Sequence, residues 1–179
     1  MSITQTLTQP TVRLTPLRWA LFSASFSALA IVTPVIAHQF HLAGPIFLPM
    51  HLFVFVAALL FGWRVGLTVG VLSPLLSHVL TGMPIVGLLP LVTAELIVYG
   101  IVAGWLKEKM NLPVWLALLA AMVAGRIALI PIAAVVGPIT PVAYVAQVIR
   151  VGWPGIVIQI ALIPWIISLL RPYLQRNLE

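Results

Sequence analysis

The sequence predicts an all-α integral membrane protein, a compact bundle of six transmembrane helices with both termini in the cytoplasm. Three observations carry that expectation. Of the 179 residues, 62% are hydrophobic and only 7% are charged, against about 25% charged in an ordinary soluble domain. The apolar residues fall in long runs, as membrane helices need, rather than in the alternating polarity of a membrane barrel. The basic residues are also placed asymmetrically along the chain. Little remains for a soluble domain beside the spans. A single membrane domain at 16–171 is therefore expected, between cytoplasmic tails at 1–15 and 172–179.

Residues 1–15 are polar and lack the apolar core of a signal peptide. Thr15 offers an N-cap and Pro16 an N1 residue for a first span at 16–36. A short polar link follows, then a second span at 45–61 and a tight turn at 62–64. The third span, 65–80, ends at Thr81-Gly82-Met83-Pro84. The fourth covers 85–106, and a charged loop at 107–112 leads into the fifth at 113–136. Gly137-Pro138-Ile139-Thr140-Pro141 breaks that run. Residues 141–151 read as a short surface helix capped by Thr140, ahead of a sixth span at 152–170. The second and third spans are short for a hydrocarbon core of about 30 Å.

With the N-terminus inside, the inner segments hold Arg13, Arg18, Arg64, Lys107, Lys109, Arg171 and Arg176, most of the nine basic residues. The outer connections hold no lysine, and Arg150 alone lies near that face. This is the positive-inside pattern. The net charge of +6 is thereby explained by topology and by contact with anionic lipid, and nucleic acid is discarded as a partner.

The run 84–106 carries one charge, Glu95, about halfway along. A carboxylate at that depth costs at least roughly 2.5–3.5 kcal/mol on insertion scales, so it needs a partner or a use. The next run also has one central charge, Arg126. Counted from opposite membrane faces, the two reach similar depth. They can pair directly, as a clamp between helices, or through a ligand. Tyr99 shares the face of Glu95 at i+4. Gln159 lies in the outer half of the sixth span, with Trp153 and Arg150 at its mouth. His51 and His78 stand in the outer parts of the second and third spans. These eight residues are the candidate substrate site, although both histidines and Trp153 also suit interfacial anchoring. Arg150 beside the Glu95–Arg126 pair would leave cationic charge in excess, which favours an anionic substrate.

Catalysis is not indicated. The chain has no P-loop, no G-x-S-x-G and no H-E-x-x-H. With no cysteine, thiolate chemistry is excluded, and the spacing of His51, His78 and Glu95 specifies no metal. No cofactor is expected.

Two stripes of small residues bear on assembly. Ala20, Ala24 and Ala28 recur every four residues in the first span, with Ser23 and Ser27 alongside. Such a face allows close approach of another helix, either within the bundle or from a separate membrane subunit. Gly62, Gly66, Gly70, Ser73 and Ser77 form a longer stripe, assigned to internal packing. Gly100 and Gly104 do the same for the fourth span.

In size, in its six spans and in the Ala20, Ala24, Ala28 face, the chain resembles the substrate-binding S-components of energy-coupling factor (ECF) transporters. The segments Leu48-Pro49-Met50-His51-Leu52, Phe61-Gly62-Trp63-Arg64-Val65-Gly66, Leu72-Ser73-Pro74, Ala94-Glu95-Leu96, Tyr99-Gly100 and Gly125-Arg126 are similar to those of vitamin-type members. The resemblance covers about 17–170. It implies a non-catalytic subunit of a prokaryotic cytoplasmic membrane that captures a vitamin or related micronutrient from outside. It further implies docking through the alanine face onto a transmembrane coupling subunit bound to two ATPase subunits, and toppling to deliver the substrate inward. Metal-binding relatives use an extreme N-terminal Met-His, whereas Met1 is followed here by Ser2. The alternatives are a proton-coupled secondary carrier, which needs Glu95 unpaired, and a structural subunit without ligand.

Overall fold

The computed structural model describes residues 7, 10–12, 14–39, 49–136 and 140–178. Among them are six long helices and no strand: α1 (Pro16–Gln39), α2 (Pro49–Phe61), α3 (Trp63–Thr81), α4 (Leu89–Lys109), α5 (Val114–Val136) and α6 (Pro141–Leu178). Five are long and apolar enough to cross a bilayer. The exception, α2, has 13 residues and is about 20 Å long at 1.5 Å per residue. The chain is an all-α membrane bundle. Most of the polar link expected at 38–44 and residues 137–139 of the break after the fifth span lie outside the described residues, as do Arg13 and most of 1–9.

The shortest helix is the core of the bundle. Ten residues of α2 are buried, from Met50 and His51 to the unbroken run Val54–Phe61. A helix apolar on every side has no solvated face to present and is stable only when surrounded. Accordingly α2 touches each of the other five helices. The outer helices turn their large apolar side chains outward instead: Leu17, Val79, Ile127 and Trp165 are exposed, as a lipid-facing belt requires.

The glycine stripe acts as expected. A Cβ on Gly66 would lie 2.5 Å from the Gly100 carbonyl oxygen, and one on Gly70 would lie 2.6 Å from that of Leu96. Backbone thus meets backbone along the α3–α4 seam, a contact that only the absence of side chains permits. On α1, Thr15 caps the helix, its Oγ1 accepting from the Arg18 N–H at 3.4 Å. Phe22 stacks on Phe61 with ring centroids 4.5 Å apart, and Phe26 meets the same ring edge-on.

One expectation is corrected: 141–151 is not a separate surface helix. It is continuous with the sixth span in a 38-residue helix that runs through Pro154, Pro164 and Pro172. Prolines are tolerated in membrane helices because neighbouring groups satisfy the freed carbonyls. A stripe on one face, Gly152, Gly155, Gln159, Ile163, Ile167 and Arg171, holds the rest of α6 against the bundle, while nothing between Pro141 and Val151 is buried. Described residues ahead of α1 are also tied to the bundle. Val12 is buried, and its N–H donates to the Leu60 carbonyl at 2.8 Å. Lys107 Nζ donates to the carbonyls of Leu7 (2.9 Å) and Leu112 (3.0 Å), and Arg171 donates to that of Pro10. Leu7 and residues 10–12 form a strap at the basic end of the bundle, held by two buried cations that cap backbone carbonyls.

Candidate functional site

Glu95 and Tyr99 sit one turn apart on α4, and Tyr99 Oη donates to Glu95 Oε1 at 2.5 Å. The same carboxylate oxygen pairs with Arg126 Nη1 of α5. Arg126 is twelve residues into α5 and Glu95 fourteen residues from the end of α4, which sets them about 18 and 21 Å above the basic end. From α2, His51 Nε2 approaches Glu95 Oε2 to 3.6 Å, too long for a hydrogen bond. Glu95 and His51 are buried, 4% and 7% exposed. Among the described residues, neither ring nitrogen of His51 has a hydrogen-bond partner.

Local sequence explains the geometry. His51 and Phe55 are one turn apart, and Phe55 stacks on Tyr99 with centroids 4.6 Å apart. Gly125 precedes Arg126, and a Cβ there would run into the Tyr99 ring. Its absence lets Tyr99 lie against α5 with its hydroxyl aimed at Glu95.

Beside this cluster lies a cavity of about 410 Å³, within the range of small-molecule sites. Its polar wall is His51, Tyr99, Arg126 and Gln159, and the rest is apolar side chains of α2, α5 and α6. The pair therefore meets at one height with vacant volume next to it. Gln159 is buried in the same wall.

The remaining candidates are elsewhere. His78 Nδ1 donates to the Pro84 carbonyl at 2.8 Å, pinning the turn after α3. Trp153 is 60% exposed and outside the cavity wall. Arg150 lies with Ala143, Ala146 and Gln147 along a separate surface groove. The cavity thus loses the extra cation on which the anionic preference rested. Conversely, Phe55, Met122 and Ile156 line the cavity and were missed. Each stands three or four residues from a polar candidate, and that helical spacing was the available signal. Among the described residues no group of three or more His, Asp or Glu is placed to hold a metal ion.

A family model described as ECF transporter, substrate-specific component matches residues 21–167. The chain belongs to that family. No curated protein and no solved structure matches it. Membership makes this S-component a multi-pass, non-catalytic membrane subunit that binds a small molecule and works with the coupling and ATPase subunits of an ECF transporter. Ala20, Ala24 and Ala28 are exposed, whereas Ser23, Ser27 and Ala30 on the adjoining face of α1 are buried. The alanine stripe of the S-component is left uncovered by its own bundle.

Proposed function

We propose that this S-component is the high-affinity capture subunit of an ATP-driven importer for a vitamin-like micronutrient in a prokaryotic cytoplasmic membrane. The observation that carries the reading is the cavity beside the Glu95–Arg126 pair, walled also by His51, Tyr99 and Gln159. A buried ion pair stabilises less than apolar packing of the same volume, so its position beside vacant space points to ligand recognition. Capture alone does not move a substrate. The exposed alanine stripe of α1 supplies a flat face for the transmembrane coupling subunit, itself bound to two ATPase subunits. The carrier alternative needs an unpaired Glu95, and the pairing with Arg126 and Tyr99 speaks against it.

Ala24→Leu tests the docking. The expected result is loss of uptake in cells expressing the coupling module, with undiminished substrate binding and melting temperature in the purified subunit. Uptake that survives Ala24→Leu, or binding lost along with it, contradicts the assignment. A tight ligand also raises the melting temperature by mass action, which separates a capture subunit from a purely structural one.

A further inference from the structure

The cavity restricts the kind of molecule this S-component can capture. We infer that the captured molecule carries no net charge, is mostly apolar, and presents one hydrogen-bonding end to His51. The inference rests on the capture reading and specifies its ligand.

Charge comes first. The described wall of the cavity holds one cation, Arg126, and that cation is already paired with Glu95. The charges of Glu95 and Arg126 cancel, and Tyr99 and Gln159 beside them add none. Arg150 belongs to another groove. Segments 40–48 and 137–139 contain no Asp, Glu, Lys or Arg, and among the described residues the remaining charged side chains belong to the basic end. An anion placed here would meet no surplus positive charge in an apolar enclosure, where an uncompensated ion is costly.

Hydrogen bonding comes second. His51 is more than nine-tenths buried, lines the cavity, and has both ring nitrogens without a hydrogen-bond partner among the described residues. Buried polar groups are seldom left so. A neutral imidazole offers one donor and one acceptor, a match for a hydroxyl, an amide or a ring N–H/C=O edge.

The mouth comes third. Val123 and Ile127 line the cavity and are 59% and 60% exposed. They sit near the middle of α5, and Ile130 and Ile149 extend the same apolar, exposed rim. The rim thus lies on the flank of the bundle, at hydrocarbon depth, between α5 and α6. An apolar body can rest there with its far end in lipid, and a charged one cannot.

The test uses the full chain in nanodiscs at pH 7.5. Yeast extract retained on a C18 column is split by anion and cation exchange into uncharged, anionic and cationic fractions. Each is added to the washed protein. The uncharged fraction alone is expected to raise the melting temperature, by about 5 °C or more. His51→Phe should remove that shift, and His51→Gln, which keeps a donor and an acceptor, should retain it and guard against misfolding as the cause. A shift from the anionic or cationic fraction instead overturns the inference and leaves capture standing. No shift from any fraction overturns both. An unchanged shift in His51→Phe overturns the role given to His51.

Discussion

Glu95 is the residue on which most of the site converges. It accepts from Tyr99, pairs with Arg126, and has His51 at 3.6 Å. Removing one member of a buried ion pair strands the other, at a cost of about 3–5 kcal/mol, whereas replacing both by apolar groups can be nearly neutral. Glu95→Gln should therefore lower the melting temperature sharply, and Glu95→Gln combined with Arg126→Met should recover most of the loss. Thermal unfolding of the single and double variants in detergent gives the coupling. An additive result would show that the two side chains act independently. Tyr99→Phe deletes only the hydroxyl bond to a charged acceptor, so a smaller loss of about 1.5–3 kcal/mol is expected in the same measurement.

The helices owe their arrangement to size more than to polarity. α3 and α4 approach backbone to backbone because Gly66, Gly70 and Gly100 leave room. Gly70→Ala would put a Cβ 2.6 Å from the Leu96 carbonyl oxygen. It should push the two helices apart and destabilise by about 1–3 kcal/mol. Gly87 has no atom within 4 Å of a built Cβ, so Gly87→Ala is the control and should leave the melting temperature unchanged or slightly raised. On α1 the same residue class has the opposite fate. The alanines at 20, 24 and 28 face outward, and the serines at 23 and 27 face in. Periodicity revealed that a flat face existed. It did not reveal which side of α1 the bundle would cover, since that depends on where Phe61 meets Phe22 and Phe26.

For the molecule as a whole, the basic end is a built structure. Lys107 and Arg171 are fully buried there and hold the strap by its carbonyls. Val12→Asp would force a carboxylate into the apolar pocket beneath the strap, and should release it. Proteolysis of the N-terminal segment should then accelerate, with a smaller loss of global stability than Glu95→Gln produces. Equal protection in the variant and the parent would mean the strap is not held by Val12. Orientation can be read directly because the chain has no cysteine. Met83 and Met110 are exposed at opposite ends. A cysteine at 83 should react with an impermeant maleimide on intact cells, and one at 110 only after permeabilisation, if the basic end is cytoplasmic.

Composition and charge spacing were enough to specify a membrane bundle, its span order, and the meeting of Glu95 with Arg126 at one depth. Those features follow from local cost: an apolar run must cross lipid, and an isolated charge within it must find an opposite one. Other features depend on residues distant in sequence. That α2 is enclosed by every other helix, that α6 runs unbroken through its prolines, that His78, Trp153 and Arg150 stand apart from the cavity, and that Leu7, Pro10 and Val12 are strapped down were settled by packing between helices. A helix's own periodicity marks its faces. Only its neighbours determine which face is covered, and so which polar side chains share a cavity.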